Sequence, residues 1–324
     1  MLAVVGVIAV TVLMIAPAAT LAHPTVAVDK VTKDATCAVG HAPWIPGYDP
    51  VTHDMYVPNT YTHNITVLSG TCALVGTITL ASGANPLEAA FDPGNNYMYV
   101  TDEALNQVYV ISGTTIVATV TSSTFNGPEG IAFDPGFLGP PTMIVTNYGG
   151  NDIVGIQGTT ISGSTGAGSG AIFVSYDPSR DTLLVANFGS ANLTILNATD
   201  PWTSVHLAAT VGSGPTMIAF DPVDALNYVA NYLSNSVTVV GGEGVVYGTI
   251  TGLKTAWGVA WSQSDLRIFV TGKTADKVWE ISGTTVTKTL HTPAGSNLEG
   301  IAYDDFNDKV YVADYGDSQV YVYS

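Results

Sequence analysis

The sequence is short of charge, and above all of basic side chains. Only 9 of its 324 residues are Lys or Arg, against 26 Asp and Glu, so charged residues make up 11% and the formal net charge is −17. Soluble proteins usually carry about a quarter charged residues. An acidic surface repels phosphate backbones and anionic lipid headgroups. The composition therefore argues against nucleic-acid binding and against membrane binding through a polybasic patch. We expect a protein or carbohydrate partner.

Helical periodicity is also missing. After residue 22 no segment sustains the 3.6-residue spacing of an amphipathic helix, whereas short β-branched and aromatic runs alternate with period two. The chain contains 34 Gly and 17 Pro, many of them at turn signals between those runs. Its hydrophobic content of 46% is enough for a sizeable core, which excludes intrinsic disorder. These patterns are typical of an all-β protein.

A long apolar run without charged residues stands at the N-terminus. Residues 2–22 read LAVVGVIAVTVLMIAPAATLA and end in small residues that suit signal-peptide cleavage. No basic residue precedes the run, and about 20 apolar residues can also span a bilayer. We predict a signal peptide over 1–22, with an uncleaved N-terminal membrane anchor as the alternative. Both place residues 23–324 outside the cytoplasm, secreted or at the cell surface.

Two cysteines and three glycosylation sequons fit that compartment. Cys37 and Cys72 either form one disulfide or remain two small buried thiols, and their spacing has no metal-site logic. The sequons begin at Asn64, Asn192 and Asn197. Asn64 and Asn192 occupy the same position of the repeat described next, so the repeat itself also explains them.

Seven copies of one unit make up most of the chain. Each copy contains a short strand that ends in Asp, usually followed by Pro, and three further strand-like runs. The Asp position, which is Ser in the sixth copy, recurs every 41 to 44 residues: Asp49, Asp92, Asp134, Asp177, Asp221, Ser262 and Asp304. Four short strands at a period of about 40 residues are typical of a β-propeller blade.

The sequence therefore predicts an all-β, seven-bladed β-propeller with four antiparallel strands per blade, as a single domain over residues 23–324. The chain ends at Val322-Tyr323-Ser324, after the third strand of the seventh copy. Residues 35–40 read as a fourth strand that has no blade of its own. We predict that this N-terminal strand completes the last blade and closes the ring, which protects the strand edges.

Two segments carry a resemblance to a known family. YVANYLSNSVTVV (228–240) and YVADYGDSQVYVY (311–323) resemble the YVTN-repeat family of seven-bladed propellers, and the resemblance extends over residues 35–324. It implies an extracytoplasmic, surface-layer-type protein that binds or self-assembles at the cell surface, and it carries no catalytic residues across. The segment EGIAFDPG (129–136) also resembles blades of lactonase and antibiotic-lyase propellers.

Departures from the repeat are the candidates for chemistry, because shared residues are structural. Five residues before the repeated Asp, at the expected channel mouth, the copies carry Trp44, Leu87, Glu129, Ile172, Thr216, Trp257 and Glu299. Blades six, seven and one are neighbours in a ring, so Trp257, Glu299 and Trp44 should lie side by side. Two aromatic faces beside a carboxylate suit a cationic or sugar ligand. Alternatively, both Trp plug the channel and Glu299 is solvated.

Catalytic and metal-binding patterns are sparse. Glu88, Glu129 and Glu299 near the axis could bind Ca²⁺ with amide and backbone oxygens, but no Asp-rich loop of cation-binding spacing accompanies them. We expect no cofactor, with Ca²⁺ as the alternative. Nucleophile elbow, P-loop and dinucleotide motifs are missing, and His41 is the only histidine close to the predicted mouth. The sequence favours a non-enzymatic binding or cell-surface scaffold protein. The alternative is a cation-assisted, lactonase-like hydrolase or lyase at the channel mouth.

Overall fold

The computed structural model describes residues 32–136, 140–203 and 207–324. Within these ranges the regular structure is 28 β-strands in seven four-stranded antiparallel sheets, and no helix is long and apolar enough to cross a membrane. The predicted all-β, seven-bladed propeller with four antiparallel strands per blade is confirmed. The segment 1–22, predicted as a signal peptide or anchor, lies outside the described residues.

All blades share one strand order, from the channel outward. The innermost strands are β2 (Gly47–Asp49), β6 (Pro86–Asp92), β10 (Pro128–Asp134), β14 (Ala171–Asp177), β18 (Pro215–Asp221), β22 (Ala256–Ser262) and β26 (Leu298–Asp304). The second strands are β3 (Asp54–Asn59), β7 (Tyr97–Asp102), β11 (Thr142–Asn147), β15 (Thr182–Asn187), β19 (Leu226–Asn231), β23 (Arg267–Gly272) and β27 (Lys309–Asp314). The third strands are β4 (Asn64–Ser69), β8 (Gln107–Ser112), β12 (Asp152–Gln157), β16 (Asn192–Asn197), β20 (Ser236–Val240), β24 (Lys277–Ser282) and β28 (Gln319–Tyr323). The outermost strands are β1 (Lys33–Ala38), β5 (Leu74–Thr79), β9 (Thr115–Thr121), β13 (Thr160–Gly166), β17 (Leu207–Thr210), β21 (Val246–Thr251) and β25 (Thr285–His291).

The repeated Asp fixes the turn that leaves each innermost strand. Asp49 Oδ1 accepts a hydrogen bond of 2.8 Å from the Val51 backbone N–H, and Asp221 Oδ1 accepts the same bond from Val223. Asp and Asn side chains favour turns because they bind the backbone two residues further on. The Asp recurs in the repeat because it forms this turn, on the face opposite the channel mouth.

Adjoining blades contact one another mainly through their innermost strands, and tyrosines of the second strands add hydrogen bonds across the interface. The largest fully buried side chains include Tyr56 and Tyr99, at equivalent positions of the second strand. The hydroxyl of Tyr56 donates to the Gly113 carbonyl at 2.8 Å, and that of Tyr99 donates to the Gly158 carbonyl at 2.9 Å, in each case an outer turn of the next blade. These rings bury apolar area while their hydroxyls bond across the blade interface.

The N-terminal strand closes the ring, as predicted. β1 pairs antiparallel with β28, so that the strand order of the last blade is β26-β27-β28-β1. Cys37 in this strand is bonded to Cys72, in the turn between β4 and β5 of the first blade, and the two Cα atoms are 5.4 Å apart. Blade seven is thus held to blade one by both a strand and a covalent bond.

One buried ion pair lies inside blade six. Arg267 Nε is 3.4 Å from Glu280 Oε1, and the two side chains are only 6% and 2% exposed. The Thr287 hydroxyl also donates to Glu280 Oε1 at 2.7 Å. The position of Glu280 is uncharged in all six other blades, where it holds Val67, Val110, Gly155, Ile195, Val239 and Val322. The pair is therefore a feature of this blade and not of the repeat.

Candidate functional site

Two rings of side chains surround the channel mouth. The inner ring is the set of seven positions identified from the sequence, at or near the beginning of the innermost strands. The outer ring is the residue that follows each second strand: Thr60, Glu103, Tyr148, Phe188, Tyr232, Lys273 and Tyr315. The last residue of the second strand holds this turn, as Asn187 does by donating to Asn192 Oδ1 at 2.9 Å. Four of the seven outer positions are aromatic.

Aromatic side chains from four blades form a continuous arc along one side of the mouth. Tyr232 packs edge-on against Trp257 with ring centres 5.3 Å apart, and Trp257 packs edge-on against Trp44 at 6.2 Å. Trp44 then contacts Tyr315 at 5.6 Å, and Tyr315 contacts Tyr61 at 5.6 Å. Edge-to-face contacts at these distances are favourable because they align ring edges with ring faces. We call these five residues the aromatic arc.

A lysine fills the concave side of the arc. The Lys273 ammonium nitrogen lies 3.9 Å from the Trp257 ring centre, 5.4 Å from that of Trp44 and 5.9 Å from that of Tyr232. It also lies 2.7 Å from Glu299 Oε1. The structure thus brings Trp44, Trp257 and Glu299 together, and it places the chain's own cation between them.

Glu299 is buried and is not the solvated carboxylate that the alternative interpretation required. Its side chain is 1% exposed. Burial raises the pKa of Glu299 to about 7, and the adjacent Lys273 opposes this rise. Gly300 allows the backbone of blade seven to approach that of blade one, because a Cβ at this position would stand 2.6 Å from the Trp44 carbonyl oxygen. The glycine lets the innermost strand of blade seven touch blade one beside Trp44.

Glu129 lies apart from the lysine, in the open part of the mouth. Together with Trp44, Tyr148, Ile172, Phe188 and Trp257 it lines a cavity of about 290 Å³. Burial, with a smaller contribution from the negative charge of Glu103, raises the pKa of Glu129 to about 8. Near neutral pH its carboxyl group is therefore mostly protonated, so that it both donates and accepts hydrogen bonds.

The carboxylates do not gather into a metal site. Among the described residues no group of three or more His, Cys, Asp or Glu is placed to hold a metal ion. Glu88 is buried in the wall between blades two and three, where its Oε2 accepts a 2.9 Å hydrogen bond from the Ile131 backbone N–H. Burial raises the pKa of Glu88 well above its usual range. Ca²⁺ binding thus stays a prediction without a ligand cluster behind it.

The other predicted residues lie away from the cavity or at its rim. The Oδ1 atoms of Asn64 and Asn192 accept hydrogen bonds from the hairpin side chains Asn59 and Asn187, whereas Asn197 is exposed. Glycosylation at all three stays a prediction. His41 stacks on Tyr61 of the aromatic arc, with ring centres 5.2 Å apart.

Lys273 and the outer ring were missed by the sequence analysis. The signal is present in the sequence, because four copies carry an aromatic residue directly after the last residue of the second strand. At that position Glu103 and Lys273 are the charged exceptions.

Glu129 makes stability depend on pH. A carboxyl group whose pKa is about 8 when folded, against 4.5 ordinarily, binds more protons when folded, so stability falls as pH rises from about 4.5 to 8. We expect Glu129→Gln to stabilise the protein by roughly 4–5 kcal/mol more at pH 9 than at pH 4. Denaturant unfolding at both pH values measures this, and Glu103→Gln, which keeps the buried carboxyl, should retain most of the pH dependence. An equal effect of Glu129→Gln at both pH values would contradict the assignment.

Solved structures with the same fold include several enzymes. A streptogramin B lyase has a TM-score of 0.77 at 12% identity, with 91% of this chain and 97% of that chain covered. A catalytically inactive variant of virginiamycin B lyase from Staphylococcus aureus, solved with quinupristin, has a TM-score of 0.76 at 14% identity, covering 91% and 99%. Hydrazine synthase from Kuenenia stuttgartiensis has a TM-score of 0.73 at 15% identity, covering 87% and 95%.

No family model matches the chain. No curated protein matches it either. Membership of the YVTN-repeat family therefore stays a prediction. At 12–15% identity the structural likeness establishes the fold alone, and the chain is a seven-bladed β-propeller.

Proposed function

We propose that the protein is an extracytoplasmic, non-enzymatic binding protein that holds a carbohydrate at the channel mouth. The observation that carries the proposal is the cavity beside Glu129, whose walls are aromatic or apolar and whose one carboxyl group is mostly neutral near pH 7. Sugars combine apolar ring faces with hydroxyl groups. Aromatic walls match the ring faces, and a protonated carboxyl group can donate to one hydroxyl and accept from another.

The location is part of the proposal. The uncharged, cleavable-looking run at residues 2–22 supports export. The disulfide between Cys37 and Cys72 supports an oxidising compartment, because disulfides persist mainly outside the cytoplasm. A secreted or cell-surface protein with an acidic composition would meet glycans of the cell envelope or of partner proteins.

Phe188 provides the test of the cavity. We expect Phe188→Ala to weaken binding of a saccharide by about tenfold, because an aromatic contact of this kind is worth about 1 kcal/mol or more. The probe is a panel of neutral mono- and disaccharides, screened by saturation-transfer NMR and then titrated calorimetrically. Phe306→Ala, on the opposite face where Phe306 stacks on His53, is the matched control and should bind normally.

The pH dependence sharpens the same test. Saccharide binding by the parent chain should weaken above about pH 8, where Glu129 loses its proton, and Glu129→Gln should bind alike at pH 6 and pH 9. The carbohydrate proposal is wrong if no saccharide in the panel binds, or if Phe188→Ala and Phe306→Ala behave identically.

A lyase or hydrolase is the second candidate function. Two observations favour it: the fold is shared with lyases, and a carboxyl group with a pKa of about 8 is well matched to proton transfer near neutral pH. Glu129→Gln separates the two functions, because it should abolish turnover of a lactone or cyclic ester while leaving saccharide binding unchanged. Assays with Ca²⁺, with Mg²⁺ and with chelator test whether this second function is assisted by a cation. Light scattering at increasing protein concentration tests self-assembly.

A further inference from the structure

Lys273 holds the position that a bound organic cation would take. Its ammonium group lies over the face of Trp257, with Trp44 and Tyr232 on two further sides and Glu299 as the counter-ion. Aromatic faces around a cation, closed by a carboxylate, are how proteins recognise alkylammonium groups. In this cage the cation belongs to the chain itself.

The lysine side chain can leave without moving the fold. The backbone at Lys273 is fixed on both sides, because its N–H donates to the Thr255 carbonyl and its own carbonyl accepts from the Leu298 N–H, each at 2.9 Å. The side chain, however, is 20% exposed and reaches the cage only through its flexible methylene chain. Rotation about those side-chain bonds would open the cage to solvent.

Glu299 has hydrogen-bonding capacity that the lysine does not use. Only its Oε1 contacts Lys273, and Oε2 is buried without a hydrogen-bond partner among the described residues. A buried carboxylate oxygen without a partner is costly, which favours a ligand that brings a further donor. This oxygen and the aromatic cage are independent observations that point to the same ligand chemistry.

We propose that the cage formed by Trp44, Tyr232, Trp257 and Glu299 is a binding site for an external alkylammonium group, and that Lys273 fills it until such a group displaces it. Choline has this chemistry, because its hydroxyl group can donate to Glu299, and so does a lysine side chain of a partner, whose ammonium group can donate directly. The inference does not rest on carbohydrate binding, although Trp44 and Trp257 also line the neighbouring cavity.

Choline is the probe, titrated calorimetrically near pH 8 with tryptophan fluorescence as a second signal. We expect the parent chain to bind choline with a Kd in the millimolar range, because displacement of Lys273 opposes binding. Lys273→Ala should bind choline at least about tenfold more tightly. Lys254→Ala, which removes an exposed lysine, is the matched control and should behave as the parent chain.

Further variants decide between the cage and nonspecific binding. The double variant Lys273→Ala/Trp257→Ala should lose the tight binding of choline. The uncharged isostere of choline, 3,3-dimethyl-1-butanol, should bind neither the parent chain nor Lys273→Ala. Thermal melting checks that each variant is folded. Lys273→Gln, which keeps a hydrogen-bond donor for Glu299, replaces Lys273→Ala if the latter does not fold.

Two results would overturn the proposal. One is a folded Lys273→Ala or Lys273→Gln variant that binds choline no more tightly than the parent chain. The other is tight binding by those variants with none by the parent chain up to about 100 mM, since Lys273 would then be a permanent part of the wall. Saccharide binding that persists in either case would leave the carbohydrate proposal intact.

Discussion

Deletion of residues 30–40 is expected to abolish the single cooperative unfolding transition of the protein. The deletion removes β1, which supplies the outermost strand of blade seven and pairs with β28. It also removes Cys37 and hence the covalent bond to blade one. The buried face of β28, at Val320 and Val322, would lose its cover and an unpaired strand edge would be exposed.

The disulfide and the strand can be separated by a matched control. A Cys37→Ser/Cys72→Ser double variant keeps β1 but lacks the bond that links residues 35 positions apart. The loop-entropy relation gives a loss of about 3–4 kcal/mol for a loop of this size, with the transition still cooperative. Circular dichroism during thermal unfolding measures both variants. A deletion variant that melts in one sharp transition at an unchanged midpoint would disprove the closure role of β1.

The second large effect is expected at the ion pair in blade six. Glu280→Val should destabilise the protein by about 3–5 kcal/mol, because the Arg267 guanidinium would then be buried without its counter-ion. Arg267→Leu should have a comparable effect for the same reason, with Glu280 left uncompensated. Denaturant unfolding at neutral pH gives both free energies.

The control is a double variant based on blade five, which has apolar residues in place of the ion pair. At the positions equivalent to Arg267 and Glu280 it has Leu226 and Val239, both buried. The double variant Arg267→Leu/Glu280→Val copies that arrangement and should recover most of the stability that each single variant loses, because a buried ion pair is often replaceable by packed apolar residues. Additive losses in the double variant would contradict this prediction, because additivity means that the two side chains contribute independently and do not compensate each other.

The fold was predictable because each copy repeats the same local sequence pattern. The period, the turn-forming Asp at positions such as Asp49, and the unmatched strand at residues 35–40 determine the number of blades and how the ring closes. Each of these is a local pattern, and seven copies make a chance agreement implausible. The structure therefore has the predicted seven blades of four strands and the predicted closure by the N-terminal strand.

The site was only half predictable, because it depends on contacts between copies. The inner-ring residues Trp44, Trp257 and Glu299 stood out as departures from the repeat. The position of Lys273 did not follow, since it requires knowing that the outer-ring side chain of blade six reaches the inner-ring carboxylate of blade seven. The raised pKa of Glu129 depends on burial among residues from several blades, which no single copy reveals.

The link between Cys37 and Cys72 also sets how the ring would carry mechanical load. A pulling force applied at residue 32 would peel β1 away from the Tyr323 end of β28, one backbone bond after another. At Cys37 the tension would pass through the disulfide to Cys72 and into blade one, bypassing the remaining pairs of β1. A protein tethered at this end would therefore resist being unwound by its tether, and it would lose that resistance on reduction.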